Sequence, residues 1–291
     1  MSNKVAFVGL GVMGYPMAGH LAAAGHDVSV YNRTSAKSAQ WAGEHKGAAA
    51  ATPREAAAGA DFVMVCVGND DDLRSVVYGD DGILAGLKAG ATLVDHTTAS
   101  AEVARELYAA CNEQGFKFID APVSGGQAGA ENGALAIMCG GDQQVYDNVL
   151  PTLEAYGKSV ALIGEAGAGQ LTKMVNQICI AGLVQALAEG INFAQASGLD
   201  VEKVVSVVGG GAAASWQMVN RYQTMAKDEF DFGFAVDWMR KDLSIVLDEA
   251  RRNGASVPVT AMVDQYYADV QKMGGNRWDT SSLIARLKKF S

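Results

Sequence analysis

Residues 167–198, GAGQLTKMVNQICIAGLVQALAEGINFAQASG, limit what this chain can fold into more than any other stretch. They hold no proline, and apolar side chains recur on all sides: Leu171, Met174, Val175, Ile178, Leu183, Leu187, Ile191 and Phe193. A helix apolar nearly all round is a buried one. At roughly 1.5 Å per residue it runs about 45 Å, longer than a small domain is wide. The segment is therefore expected to be a spine joining two domains. Lys173, Asn176, Gln177 and Ile180 fall on one of its faces, because residues three and four apart are neighbours on a helix. A lysine is seldom buried without a reason.

Upstream, the apolar run at residues 5–8 ends in Gly9-Leu10-Gly11-Val12-Met13-Gly14, followed by a helical stretch and a second strand at residues 28–31. Strand, glycine turn, helix and strand in that order form the setting in which GxGxxG binds a dinucleotide. Gly9 permits the tight turn, Gly11 lets backbone amides approach a pyrophosphate, and Gly14 lets the helix pack on its strand. The helix N-terminus adds partial positive charge for the phosphates. Directly after the second strand stand Asn32, Arg33, Thr34 and Ser35. An acidic residue at this place accepts bonds from the ribose of NAD and repels a 2′-phosphate. Here a neutral amide precedes a cation, and a guanidinium binds phosphate with a forked, charge-assisted contact. The expected cofactor is NADP, with NAD possible; the competing reading is that Arg33 is a solvated loop residue.

Further strands are expected at residues 61–67, 92–95, 116–119, 135–142 and 159–163. Asp70, Asp71 and Asp72 are read as capping or solvated acids at the start of a helix. His96, Thr97 and Thr98 lie at the carboxyl end of a strand, the edge where open α/β sheets bind ligands. Thr98 is a candidate cofactor hydroxyl, as is the position of Val67 at the end of its strand; His96 has no evident partner and no assigned role. The loop Asp120-Ala-Pro-Val-Ser124-Gly125-Gly126 presents a hydroxyl and unobstructed amides. It is either a nest for a carboxylate or phosphate oxygen or a loop whose glycines need positive φ. After residue 200 the pattern is helical to the end, at 201–208, 215–225, 235–253 and 259–272. Asp279 is expected to cap a last helix, and Trp216, Phe234 and Trp238 are candidate pocket walls.

At 291 residues the chain is long enough for two domains, and its net charge of -9 argues against a nucleic-acid partner. Cys66, Cys111, Cys139 and Cys179 have no paired metal spacing; Cys66, Cys139 and Cys179 read as reduced core thiols and no metal is expected. No export signal is visible, and the long apolar segment carries Gln185, Glu189 and Gln195, so a cytoplasmic location without a membrane partner is expected.

Four separated strings give these pieces a common meaning: Gly9-Leu-Gly-Val-Met-Gly-Tyr-Pro-Met17, Asp120-Ala-Pro-Val-Ser-Gly-Gly126, Gly167-Ala-Gly-Gln-Leu-Thr-Lys173-Met-Val-Asn176 and Lys241-Asp242-Leu243. In this order, over essentially the full length, the chain resembles the β-hydroxyacid dehydrogenases, the family of 3-hydroxyisobutyrate dehydrogenase and tartronate semialdehyde reductase. The resemblance implies an α/β fold: a Rossmann-like dinucleotide-binding domain (residues 1–164), then a connecting helix and an all-helical domain for substrate and oligomer contacts (residues 165–291). It implies that Lys173 is the catalytic acid/base with Asn176 beside the substrate. Ser124, Gly125 and Gly126 then hold the substrate carboxylate, and Thr98 and Lys241 serve the cofactor with the turn residues Gly9 to Gly14. Family members often carry a second asparagine after the first. Gln177 stands there as a further candidate substrate contact, with the same donor and acceptor groups on a longer arm.

The expected reaction is hydride transfer between NADP(H) and a small 3-hydroxy acid or its semialdehyde. A lysine ammonium stabilises the developing alkoxide and gives up its proton; oxidation needs the neutral amine. The alternatives are an NADPH-dependent imine reductase, whose members usually lack the lysine, and a non-catalytic NADP-binding protein. A homodimer or homotetramer is expected from the apolar second domain.

Overall fold

The apolar run near the start of the chain becomes the first of nine strands that form one sheet among residues 2–290, those described by the computed structural model. β1 (Lys4–Val8), β2 (Asp27–Tyr31), β3 (Gly47–Ala49), β4 (Phe62–Val65), β5 (Thr92–Asp95) and β6 (Lys117–Asp120) are parallel, in the spatial order β3-β2-β1-β4-β5-β6. β7 (Val123–Ser124) and β8 (Leu135–Gly141) run antiparallel to each other, β8 also runs antiparallel to β6, and β9 (Gly157–Gly164) lies parallel along β8. β4 and β5 are buried at every residue, as continuous apolar strands are when helices cover both faces of a parallel sheet. Alternate residues of β1 divide between the two faces. Val5 and Phe7 pack with Met17, Leu21 and Trp41, while Ala6 and Val8 pack with Leu73, Val103 and Leu107.

The winding reverses between β1 and β4, because β2 and β3 build outward on one side and β4 to β6 on the other. Such a switch point leaves a crevice beyond the carboxyl ends of the strands, and ligands bind there. The glycine turn after β1 and the loops after β4, β5 and β6 all emerge at that edge. β3, made of Gly47-Ala-Ala49 and exposed throughout, has no apolar pattern to announce it. Its backbone alone completes the sheet edge.

Contacts divide the chain into two units, Met1–Lys173 and Met174–Ser291. The second unit is helical and follows local punctuation closely. Asp200 caps Val201–Val208 and Ser215 caps Trp216–Ala226, each accepting backbone N–H bonds. Gly254, with φ 78°, ends Val236–Asn253, and Pro258 opens Pro258–Lys272. Asp279 accepts from Ser281 N–H and starts the short 3-10 turn before Leu283–Phe290. The first unit is thus mixed α/β and Rossmann-like, and the second is helical.

The long helix spans Ala168–Ala196. By length and composition it is apolar enough to cross a membrane, yet only 44% of its most apolar window is buried. Ala181, Val184, Ala188 and Ile191 enter the core of the second unit, whereas Val175 and Phe193 are 59% and 71% exposed. The expectation that an all-round apolar helix is buried all round is corrected here, because packing covers one face of a cylinder and leaves the other. Cys179 lies on the uncovered face and is exposed, and Cys66 is only half-buried; Cys111 and Cys139 are the buried thiols.

Candidate active site

Two of the three turn glycines are enforced by neighbouring backbone. Gly9 has φ 99°, and a Cβ there would collide with the Cys66 carbonyl at the end of β4. A Cβ on Gly14 would strike the carbonyl of Gly9 and the ring of Phe7. Gly11 differs: a Cβ there would meet no protein atom within 4 Å. Nothing in the fold demands a glycine at that position, which faces open space just before the helix Gly14–Ala23. Asn32 holds the turn: its Oδ1 accepts the Leu10 N–H at 2.9 Å and its Nδ2 donates to the Thr34 carbonyl at 3.2 Å. Arg33 is 89% exposed and reaches Asp72 Oδ1 at 3.4 Å. An exposed pair of that kind contributes about 0–1 kcal/mol, so it holds the guanidinium only weakly.

The loop after β5 is tied down on several sides. Thr97 N–H donates to Asp95 Oδ1 at 2.9 Å, and Val67 N–H donates to Thr97 Oγ1 at 3.1 Å. Gln170, 1% exposed, accepts the Ala99 N–H at 3.1 Å and donates to the Thr97 carbonyl at 2.7 Å. Thr98 lies between those two bonds. Asp95 is fully buried, and desolvation pushes its carboxyl up to about 7.

The loop after β6 begins with a carboxylate whose task is structural. Asp120 Oδ1 accepts the Gly167 N–H at 2.7 Å, and Oδ2 accepts the Gln170 N–H at 2.9 Å. The side chain therefore caps the start of the long helix, where unpaired N–H groups need acceptors. Burial raises its carboxyl to about 6 against the opposite pull of those N–H groups. Room for this junction depends on Gly140 and Gly169, whose added Cβ atoms would press on Asp120 and on backbone. One turn further along the helix, Lys173 is 8% exposed.

His96 steadies the next residue of the same loop. It is 1% exposed, with Nδ1 2.7 Å from the Ala121 carbonyl and Nε2 2.8 Å from the Tyr156 hydroxyl. Burial lowers its pKa to about 4. The neutral ring then donates from Nδ1 to Ala121 and accepts at Nε2 from Tyr156, whose own ionisation burial drives well above its ordinary value. Beyond it, Ser124 is half-buried in β7, and Gly125 and Gly126 have φ 140° and 62°. That positive φ meets the second of the two readings of the loop, and it leaves the first open.

In the second unit Gln177 is 2% exposed and engaged at both ends of its amide. Oε1 accepts from Asn176 Nδ2 at 2.7 Å, and Nε2 donates to Asp242 Oδ2 at 2.6 Å. Asp242 is 3% exposed, and Lys241 Nζ stands 2.9 Å from its Oδ1, close enough for an ion pair but off the line of a hydrogen bond. Asn176, Gln177, Asp242 and Lys241 therefore form one polar chain, buried at Gln177 and Asp242 and partly exposed at its two ends. Trp216 and Trp238 are 53% and 39% exposed, and Arg221 lies over the Trp216 ring at 4.8 Å.

Comparison with known proteins supplies the frame for this geometry. Residues 4–164 match the family model described as the NAD binding domain of 6-phosphogluconate dehydrogenase. Residues 167–287 match the model described as NAD-binding of NADP-dependent 3-hydroxyisobutyrate dehydrogenase. The chain is 33% identical to 2-hydroxy-3-oxopropionate reductase of Escherichia coli (strain K12), over 98% of this chain and 97% of that protein. The chain belongs to the 3-hydroxyisobutyrate dehydrogenase family.

Another relative in this family, an uncharacterized oxidoreductase of Shewanella frigidimarina (strain NCIMB 400), is 65% identical over 98% of both chains. Among solved structures, Mycobacterium tuberculosis 3-hydroxyisobutyrate dehydrogenase with L-serine superposes with a TM-score of 0.88, at 30% identity and 99% coverage of both chains. Psf3 in complex with NADP+ and 2-OPP also reaches 0.88, at 26% identity, covering 97% of this chain and 99% of that one. An imine reductase from Pseudomonas sp. has a TM-score of 0.64 at 20% identity, covering 99% of this chain and 100% of that one, a likeness of fold alone.

As a member of the 3-hydroxyisobutyrate dehydrogenase family the chain is an oxidoreductase with an NAD(P)-binding domain, and its residues fit that cofactor. The open space at Gly11 lies before a helix N-terminus, and no carboxylate stands at positions 32–34 after β2. The partners of Asp120, Gln170, His96 and Asp242 escaped the sequence reading, although all four stand in strings or loops that it named. The available signal was a polar residue at the end of an apolar strand or within an apolar helix, which marks burial without naming a partner.

Proposed function

We propose that this chain is an NADP-preferring 3-hydroxyacid dehydrogenase that also reduces the corresponding semialdehyde, with Lys173 carrying the proton. Lys173 itself carries the reading: a buried lysine early in a helix whose start is capped by Asp120, three residues ahead of Asn176. Relatives named for 3-hydroxyisobutyrate and for 2-hydroxy-3-oxopropionate support a small substrate bearing a carboxylate. A neighbour holding NADP+, together with Arg33, supports the cofactor choice.

In this reading the amides and side chains of Gly9 to Gly14, Asn32, Arg33, Thr34, Val67, Thr98 and Lys241 hold the dinucleotide. When bound, the reduced nicotinamide supplies the hydride. Ser124, Gly125 and Gly126 hold the substrate carboxylate, and Asn176, steadied by Gln177, lies beside the reacting carbon. Lys173 stabilises the negative charge that develops on the carbonyl oxygen and delivers a proton to it from Nζ. In oxidation the neutral amine removes the hydroxyl proton, so that direction is expected to rise more steeply with pH. Residues 1–164 are the cofactor domain, and 165–291 hold the connecting helix and the helical domain for substrate and oligomer contacts. The exposed apolar side chains Phe193, Val207, Val219 and Val259 support assembly as a homodimer or homotetramer.

The test is oxidation of NADPH and NADH with 2-hydroxy-3-oxopropionate, methylmalonate semialdehyde and succinate semialdehyde, using wild type and Lys173→Ala. Turnover of one compound, lost in the variant, is the expected outcome. NADPH binding without reduction of any carbonyl turns the assay to imines, and failure there leaves a binding protein.

A further inference from the structure

One side chain ties the loop carrying Thr98 to the helix carrying Lys173. The carboxamide of Gln170 makes two hydrogen bonds, to the Ala99 N–H at 3.1 Å and to the Thr97 carbonyl at 2.7 Å. These groups flank Thr98 on either side, so a single planar amide brackets it. The backbone of Gln170 is fixed in turn, because its N–H donates to Asp120 Oδ2 while Oδ1 takes the Gly167 N–H. Lys173 follows three residues later, the neighbouring position on a helix surface. Asp120 ends β6 and the loop of Thr97 leaves β5, so both anchors rest on adjacent central strands. An apolar residue of the same size would fill this buried place equally well. It would leave the Ala99 N–H and the Thr97 carbonyl without these partners, and an orphaned buried polar group is costly.

We propose that Gln170 is a positioning residue that sets the register between Thr98 at the cofactor and Lys173 at the substrate, an inference that rests on the acid/base reading of Lys173. Displacement of reacting groups by about 1 Å costs on the order of 10²-fold in rate, and this amide removes that freedom. Its two bonds have opposite polarity, one accepted and one donated. A glutamate can replace both only when protonated, its carbonyl accepting and its hydroxyl donating.

Three variants test the proposal: Gln170→Met, Gln170→Glu and Lys173→Ala. Amide hydrogen exchange of the cofactor-free protein reads the loop directly. In Gln170→Met the Ala99 amide is expected to exchange faster while β1 and β4 stay protected as in wild type. With the semialdehyde that wild type reduces best, kcat is expected to fall on the order of 10²-fold with a smaller change in KM. The deuterium isotope effect from 4-deuterated NADPH is expected to grow. Gln170→Glu is expected to recover relative to wild type as pH falls, since only its acid form restores both bonds. Wild-type kcat and wild-type Ala99 exchange in Gln170→Met overturn the proposal. So does a Gln170→Glu profile parallel to wild type, or loss of protection across the strands, which marks a purely structural role. Full activity in Lys173→Ala, or no turnover by wild type, overturns the acid/base reading first and the proposal with it. An inactive Lys173→Ala beside an unimpaired Gln170→Met overturns the proposal alone.

Discussion

Replacing His96 with asparagine tests whether the fold holds this imidazole neutral beneath the Ala121–Ser124 segment. Its pKa is lowered from 6.5 to about 4 by burial. Between those values the unfolded chain binds a proton that the folded chain does not, so stability rises with pH. The contribution is present above pH 6.5 and is lost as pH falls toward 4. At 1.36 kcal/mol per unit, a shift of about 2.5 units amounts to about 3 kcal/mol, of which about 2 is lost between pH 7 and pH 5. Asparagine places an amide nitrogen where Nδ1 donates to Ala121, but it does not titrate. At pH 7 the variant is expected to lose about 1–3 kcal/mol, because the Tyr156 hydroxyl is left without its acceptor. From pH 7 to 5 the gap to wild type then narrows by about 2 kcal/mol. Asp95 and Asp120, raised to about 7 and about 6, act in the opposite sense and are common to both proteins, so they drop out of the difference. Urea unfolding at half-unit pH steps measures that difference, and the ring signals of His96 in NMR report its titration. Parallel stability curves for the two proteins, or a ring titrating near 6.5, refute the reasoning.

Three further changes follow from the same geometry. Gly11→Ala meets no protein atom, so the melting temperature without cofactor should stay within about 1 °C of wild type, since a strain-free surface change is worth under about 0.5 kcal/mol. NADPH affinity should fall at least tenfold in the same variant, and unaltered affinity by titration contradicts the assignment of that space. Arg33→Ala should weaken NADPH by about ten- to a hundredfold, the worth of a hydrogen bond to a charged group, and NADH by far less; equal losses in paired binding assays remove the argument for NADP. Gln177→Asn shortens the arm that reaches Asp242 at 2.6 Å, and it should cost about 1–3 kcal/mol in urea unfolding by leaving a buried carboxylate oxygen unpaired. A variant as stable as wild type shows that the polar chain through Asp242 closes without Gln177.

The cofactor turn was legible because its determinants are local. Gly9, Gly11 and Gly14 stand within six residues, and the strand and helix around them are marked by their own periodicity. The cap at Asp279 was legible for the same reason, bonding a group two residues away. Lys173 announced itself as a charge in an apolar helix. Asp120 stood in full view at the end of an apolar strand, yet its acceptors serve groups 47 and 50 residues on. Gln170 reaches back 71 and 73 residues. Nothing within a short window names the partner of such a residue, even where its apolar neighbours mark it as buried. The exposed Cys179 was missed for the converse reason, since an all-apolar helix does not say which face finds a partner.

The amino-acid string by itself therefore determined seven of the nine strands, the glycine turn, the long helix and the place of the lysine within it, while β3 and β7 had no pattern to announce them. Each follows from steric limits or hydrogen bonds spanning a few residues. The tertiary structure alone decided that β8 turns antiparallel against β6, that His96 meets Tyr156, and that Gln177 meets Asp242 across 65 residues. Those pairings arise only when the sheet order brings distant segments together. A buried polar group must then bond with whatever lies within reach, because the water it gave up is no longer there to replace it.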